Sequence, residues 1–162
     1  MRKRLFSIMA FAVILLAACK KSDKCGYTTT TAVASSAEIS NLKSWLDANS
    51  LPYTQHSSGV FYKVNAQGSG ATPGVCSGVT VKYVGRLQNG TGFDSSYKNY
   101  PSGITFTLGE LIPGWQIGIP LVQKGGSIIL YVPPSLGYGS RANGAIPANS
   151  VLVFNIDLVD VQ

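Results

Sequence analysis

Apolar and polar residues alternate along most of the chain, from residue 59 to residue 162. A period of two places apolar side chains on one face of a β-strand, so the pattern predicts an antiparallel sheet with one buried face. Glycine, proline and asparagine separate the alternating segments, and Asn89-Gly90 is a strong signal for a hairpin turn. The apolar positions fall into five segments: Val60, Tyr62 and Val64; Val79, Val81, Tyr83 and Leu87; Ile104, Phe106 and Leu108; Ile128, Leu130 and Val132; and Leu152, Phe154, Ile156 and Leu158.

Two segments follow a helical period instead. Ser35 and Glu38 have the spacing of a capping box, which predicts a helix over residues 36–49 with its apolar side chains on one face. A second helix is predicted over residues 114–122, and Pro120 near its end should keep it brief or distorted. One short helix laid over an antiparallel sheet is an α+β architecture.

The N-terminus has the pattern of a targeting signal. Three basic residues, Arg2-Lys3-Arg4, precede an uncharged run of 14 residues, Leu5 to Ala18, and a bilayer span needs about 20. The run ends in Leu16-Ala17-Ala18-Cys19, which resembles a bacterial lipobox and implies cleavage before Cys19 and acylation of that residue. An ordinary secretory signal with an incidental cysteine is the alternative. We divide the chain into a lipoprotein signal peptide (1–18), a lipidated tether (19–35), an N-terminal helix and linker (36–58) and the sheet domain (59–162).

The formal net charge of +6 does not indicate a nucleic-acid partner. Six of the 13 basic residues precede Gly26, and seven basic residues against six acidic ones follow it. The sheet domain is therefore nearly neutral, with no basic stripe to contact phosphates.

Few residues are available for metal or nucleophilic chemistry. Besides Cys19 the chain has Cys25 and Cys76, and His56 is the only histidine. These residues lack the spacing of metal ligands, so we predict no metal site. The sequence leaves open whether Cys25 and Cys76 pair in an oxidising compartment. A Ser-His-Asp hydrolase is excluded as well, because His56 lies outside the patterned region and no nucleophile elbow occurs.

The aromatic residues of the patterned region stand within a series of short motifs. Val81-Lys82-Tyr83-Val84-Gly85 and Gly90-Thr91-Gly92-Phe93-Asp94-Ser95-Ser96 resemble the signature of FKBP-type prolyl isomerases. Further blocks follow in the family's order: Phe106-Thr107-Leu108-Gly109, Leu111-Ile112-Pro113-Gly114-Trp115, Tyr131-Val132-Pro133-Pro134, Leu136-Gly137-Tyr138-Gly139, Ile146-Pro147 and Leu152-Val153-Phe154. The resemblance covers about residues 59–162.

This resemblance implies a five- or six-stranded antiparallel sheet wrapped around one short helix. It also implies peptidyl-prolyl cis-trans isomerase activity on proline-containing polypeptides, without a cofactor or metal, and macrolides as inhibitors. By position, the catalytic residues would be Tyr138, Asp94, Phe93, Trp115 and Phe154. The substrate-binding residues would be Tyr83, Leu111, Ile112, Ile146 and Phe106. In this assignment Trp115 forms the pocket floor, while the Tyr138 hydroxyl and the Ile112 N–H donate to the substrate.

Two other functions stay open beside an isomerase that assists the folding of exported proteins. One is a non-catalytic module or chaperone that binds proline segments on the same fold. The other is a lipid-tethered assembly module that makes contacts through the helix over residues 36–49. For location, Cys19 followed by Lys20 rather than aspartate favours anchoring in the outer membrane of a bacterial envelope, facing the periplasm or the cell surface.

Overall fold

A computed structural model describes residues 25–162 of the chain. The predicted signal peptide, the lipidation site Cys19 and residues 20–24 lie outside the described residues. Within residues 25–162, no helix has both the length and the apolar character that crossing a bilayer requires. The elements are α1 (Ser36–Ala48), β1 (Thr54–Gln55), β2 (Phe61–Ala66), β3 (Gly78–Leu87), β4 (Gly92–Ser95), β5 (Ile104–Thr107), α2 (Pro113–Gly118), β6 (Ser127–Val132) and β7 (Leu152–Val161), with 3₁₀ turns at Leu108–Glu110, Ile119–Leu121 and Pro134–Leu136.

The strands form one antiparallel sheet in the order β1-β2-β6-β7-β3-β4, and β5 also pairs with β3. This confirms the predicted α+β architecture. The sheet has seven strands rather than five or six. The difference lies in two short strands that show no alternation: β1 has two residues, and β4 (Gly92–Ser95) has Phe93 as its only apolar side chain. The long strand β3 pairs with β7 on one side and with β4 and β5 on the other.

The short helix α2 packs closely against β6. A Cβ atom built on Gly118 would lie 2.5 Å from Cδ1 of Leu130, and one built on Gly114 would lie 2.5 Å from Cγ1 of Val132. Both glycines therefore allow the helix to approach the strand. The α-helix ends at Gly118 and continues only as a 3₁₀ turn containing Pro120, which confirms the brief, distorted helix predicted from that proline.

The N-terminal helix α1 forms as the capping-box spacing predicts. The Ser35 side chain accepts from the Glu38 N–H at 3.3 Å, and the Ser35 N–H donates to Glu38 Oε2 at 3.0 Å. The helix buries Leu42 and Leu46 against Phe61 and other outer-face residues of β2 and β6.

The prediction of a sheet with one buried face was wrong at this place. Phe61 and Tyr131 point away from the side of the sheet that α2 covers, and both are buried. Trp45 of α1 packs edge-on against Tyr131, with ring centroids 6.3 Å apart. The sequence of β2 has apolar residues on both faces, and α1 covers the face that α2 does not.

The start of the described chain is fastened to the sheet domain. Cys25 and Cys76 form a disulfide with a Cα–Cα distance of 5.7 Å. Next to it, the ring of Tyr27 lies over Gly109, and its hydroxyl donates to Glu110 Oε1 at 2.5 Å. The pairing that the sequence left open is thus present, and it fixes residues 25–27 beside the first 3₁₀ turn.

Candidate functional site

A cavity of about 220 Å³ lies between α2 and the sheet. Strands β3, β4, β5 and β7 supply its walls, α2 its floor, and the turn after the third 3₁₀ turn its outer edge. Six of its nine lining residues are aromatic, so more of its surface is apolar than polar, and Asp94 and two tyrosine hydroxyls supply polar atoms. The lining residues are Tyr83, Phe93, Asp94, Phe106, Leu111, Ile112, Trp115, Tyr138 and Phe154.

Trp115 is the centre of the aromatic cluster. Its ring packs edge-to-face against Phe154 at 5.1 Å, Tyr83 at 5.2 Å and Phe106 at 6.4 Å between centroids. The side chain is 4% exposed, and its Nε1 has no hydrogen-bond partner in the part of the chain that the structure describes. A buried donor without a partner is uncommon in folded proteins, so the floor of the cavity combines an apolar surface with one unused N–H.

Phe93 and Phe154 form the wall on the side of β4. Their rings meet edge-to-face with centroids 5.6 Å apart. Gly85, which pairs with Phe154 in the sheet, makes room for both rings, because a Cβ at this position would lie 2.5 Å from the Phe93 ring. Gly85 closes the motif Val81-Lys82-Tyr83-Val84-Gly85, and its role is visible only in the folded sheet. Its contribution depends on the register between β3 and β7.

One hydrogen bond links two of the predicted site residues at the edge of the cavity. The Tyr83 hydroxyl donates to Asp94 Oδ2 at 2.5 Å, and Asp94 Oδ1 accepts from the Ser95 N–H at 2.7 Å. Burial raises the pKa of Tyr83 far above its usual range, and the bond to Asp94 adds to the shift. Tyr83 is therefore protonated at neutral pH and orients the Asp94 carboxylate.

Besides the Trp115 N–H, two hydrogen-bond donors at the edge of the cavity have no partner among the described residues. The Tyr138 side chain is 38% exposed, and its hydroxyl makes no hydrogen bond within residues 25–162. Burial, and then the nearby Asp94, raise the pKa of Tyr138, so its hydroxyl keeps its proton. The N–H of Ile112, at the N-cap of α2, likewise donates to no carbonyl among the described residues. Both donors are free to bind a carbonyl oxygen of a ligand.

The segment that carries Ile112 is held by a side chain that sequence analysis missed. Gln116 Nε2 donates to the carbonyl oxygens of Leu111 at 2.7 Å and Gly109 at 3.2 Å. A single glutamine in a short helix gives no pattern from which this role can be read.

A second cavity of about 200 Å³ adjoins the first and shares Phe93, Asp94 and Tyr138 with it. Its outer side is formed by residues 143–146. Ile146, which is buried, lines this second cavity and not the first. The structure therefore brings nine of the ten predicted site residues around one cavity, and places Ile146 next to it.

A larger, more open groove of about 490 Å³ lies elsewhere, between Trp45 of α1 and the turn after β3. None of its lining residues is ionisable. They are Trp45, Leu87, Gln88, Asn89, Pro147, Asn149, Ser150 and Val151. The aromatic cavity, with its free donors and perturbed tyrosines, is the stronger candidate site.

Comparison with known proteins agrees with this geometry. The family model described as FKBP-type peptidyl-prolyl cis-trans isomerase matches residues 70–159. The isomerase FkpA of Buchnera aphidicola (subsp. Schizaphis graminum) is 47% identical over 107 residues, which are 65% of this chain and 42% of the relative. FkpA of Escherichia coli K12 is 42% identical over 106 residues, covering 65% of this chain and 39% of the relative. The chain thus spans about two fifths of the length of these curated relatives.

Solved structures of the family have the same fold. The crystal structure of Escherichia coli FkpA superposes with a TM-score of 0.70 at 35% identity, covering 78% of this chain and 60% of that one. The crystal structure of AtFKBP13 superposes with a TM-score of 0.63 at 34% identity, covering 68% of this chain and 99% of that one. Because the family model covers more than half of the sequence and the fold and cavity agree with it, the chain belongs to the FKBP-type peptidyl-prolyl cis-trans isomerase family.

Proposed function

We propose that this protein is an active peptidyl-prolyl cis-trans isomerase that accelerates X-Pro bond rotation in exported polypeptides. The observation that carries the proposal is a cavity with six aromatic side chains in its lining and two unused donors at its edge. Its apolar lining suits a proline ring, and the donors suit the carbonyl groups that flank it. Macrolides that occupy the same recess would compete with the peptide.

The reaction requires no nucleophile, metal or cofactor from the protein. A planar prolyl amide is stabilised by resonance, and rotation crosses a barrier of about 18–20 kcal/mol. In the twisted state the nitrogen lone pair no longer delocalises into the carbonyl, so the carbonyl oxygen carries less negative charge. A cavity that excludes water therefore disfavours the planar amide more than the twisted one, which lowers the barrier by differential binding.

The side chains of the cavity have two further roles: some hold the proline ring, and others orient the peptide chain. Trp115, Phe93 and Phe154 surround the proline ring and hold it while the preceding residue rotates. The Tyr138 hydroxyl and the Ile112 N–H bind carbonyl oxygens on either side of the ring and fix the direction of the chain. Asp94, held by Tyr83, acts as an acceptor at the cavity edge and not as a base.

A protease-coupled assay with a short proline peptide tests the activity. We expect the purified full chain to accelerate isomerisation over the uncatalysed rate, which has a time constant of roughly tens to hundreds of seconds. A macrolide that fills the cavity should abolish the acceleration. A folded protein that binds the peptide without accelerating its isomerisation would contradict catalysis and favour the alternative of a non-catalytic proline-binding module.

An assembly function through α1 has less support. The apolar face of α1 is turned inward, with Leu42 and Leu46 buried against Phe61 and Tyr131. Little apolar surface on that helix is then left for a partner.

We also propose that the protein is exported and anchored to the bacterial cell envelope by acylation of Cys19. Two observations support this location. The residues around Cys19 resemble a lipobox, and the disulfide between Cys25 and Cys76 requires an oxidising compartment. Cys25 lies six positions after Cys19, a distance of at most about 20 Å along an extended chain. The disulfide would therefore keep the domain close to the membrane that holds the anchor.

Mass spectrometry of the envelope-bound protein tests the anchor. We expect the chain to begin at Cys19 with acyl groups attached, and a Cys19→Ser variant to be released into the soluble fraction. Recovery of unmodified Cys19, or of the variant still bound to the membrane, would contradict lipid anchoring. Separation of the inner and outer membranes shows which of them holds the anchor, and we expect the outer membrane.

A further inference from the structure

The N-terminal helix is tied to the turn that carries Tyr138. Glu38 Oε1 accepts from the Ser135 N–H at 2.9 Å, and Glu38 Oε2 accepts from the Ser135 hydroxyl at 2.8 Å. Ser135 lies in the third 3₁₀ turn, 97 residues from Glu38 along the chain and three before Tyr138. One carboxylate thus joins α1 to the part of the chain that matches the family model, residues 70–159, and Glu38 itself lies outside that part.

The same carboxylate also closes the capping box of α1. It accepts from the N–H and the hydroxyl of Ser35, both at 3.0 Å. Partial burial raises the pKa of Glu38, but the hydrogen bonds from Ser135 and Ser35 outweigh it and the net shift is downward. The carboxylate is therefore ionised at neutral pH, and four donors converge on it.

The turn that carries Tyr138 follows Ser135 directly, so the hydrogen bonds from Ser135 to Glu38 help to fix its position. Tyr138 is 38% exposed and its hydroxyl has no partner within the described residues, so its position depends on the backbone that carries it. That backbone is closed by hydrogen bonds from the N–H groups of Gly137 at 3.0 Å and Gly139 at 2.8 Å to the Pro134 carbonyl. The Glu38 contact holds the same turn from outside at Ser135.

From this geometry we infer that Glu38 is a positioning residue for the isomerase reaction. Anchored by the packing of α1 on the outer face of the sheet, it holds the third 3₁₀ turn so that the Tyr138 hydroxyl stands at the cavity edge. The helix that precedes the family domain is then part of the catalytic unit. This inference rests on the proposed isomerase function and adds a residue to it.

The test is a set of variants in the full chain, assayed for kcat and KM with a proline peptide. Glutamine at position 38 keeps the size of the side chain but turns an N–H₂ group toward donors on Ser35 or Ser135. We expect Glu38→Gln to raise KM about fivefold with kcat nearly unchanged, because Tyr138 binds the substrate carbonyl in both the planar and twisted forms. Ser35→Ala is the matched control, since it weakens the helix cap and removes one of the four hydrogen bonds to the Glu38 carboxylate, but neither of the two from Ser135.

A double-mutant cycle separates positioning from stability. If Glu38 acts by placing the Tyr138 hydroxyl, Glu38→Gln should change KM by less than about twofold in a Tyr138→Phe background. A full fivefold effect in that background would overturn the inference. So would an equal loss of activity in Ser35→Ala, because that result would mean that any weakening of α1 has the same consequence.

A second measurement does not depend on catalysis. Amide hydrogen exchange at Ser135 should be faster in Glu38→Ala than in the wild type, with Gly139 following, while exchange in Ser35→Ala stays near wild type at both amides. Unchanged exchange at Ser135 would overturn the contact itself. If the wild-type chain lacks isomerase activity, the proposed function fails, and peptide affinity together with exchange at Ser135 still decides whether Glu38 positions the turn.

Discussion

Replacing Phe93 with alanine is expected to lower kcat/KM for a proline peptide by about one to two orders of magnitude. Phe93 lies between the two adjoining cavities and contacts both. Its removal merges them, admits water beside the proline ring and removes the edge contact to Phe154. The protein then loses both the grip on the ring and the apolar surroundings that disfavour the planar amide.

The position of Phe93 makes this variant informative. It lies on the short edge strand β4 and is half-buried, so its truncation should disturb the core less than truncation of Trp115 or Phe154. Tyr62→Ala is the matched control, because Tyr62 is a half-buried aromatic residue that packs against the same core without lining either cavity. Near wild-type activity in Phe93→Ala, or an equal loss of activity in Tyr62→Ala, would contradict the role of Phe93 as a cavity wall that holds the proline ring.

Removal of the Cys25–Cys76 disulfide is expected to lower the free energy of unfolding by about 4 kcal/mol. The bond joins residues 51 positions apart, and closing a loop of that size restricts the unfolded chain by about this amount in the chain-entropy model. Because Tyr27 also contacts the domain through Gly109 and Glu110, part of the native attachment should survive without the bond. Urea denaturation of wild type and of the Cys25→Ser/Cys76→Ser double variant gives the difference.

Reduced wild-type protein provides the control for this prediction. Its free energy of unfolding should fall by the same amount as that of the double variant, because both proteins lack the bond. The reduced wild type has unchanged side chains, so an equal loss means that the serine substitutions themselves have no effect. A denaturation midpoint that is equal in the oxidised and reduced proteins would show that the bond adds nothing to stability.

Local patterns were sufficient for five of the seven strands and for both helices. The alternation in β3, β6 and β7 reports which side chains share a face, because the geometry of a strand fixes that direction whatever the rest of the chain does. The capping pair Ser35 and Glu38 predicts the start of α1 for the same reason. The motif residues could be transferred by position because their order along the chain is that of the family.

Contacts between distant segments could not be predicted in this way. That Phe61 and Tyr131 are buried by α1, that Ile146 lines a side cavity, and that Gly85 leaves space for Phe93 all depend on strand register and on how elements pack. The Glu38–Ser135 contact spans 97 residues, and no periodicity relates two such positions.

The sequence by itself thus determined the five longer segments of the sheet, the capped helix and the set of aromatic residues from which the cavity is built. The tertiary structure decided which of those residues meet, which donors stay unused, that Cys25 and Cys76 pair, and that α1 reaches the Tyr138 turn. The physical reason is that secondary structure follows from side chains a few positions apart, whereas a site forms where the folded path brings separate segments within a few ångströms of one another.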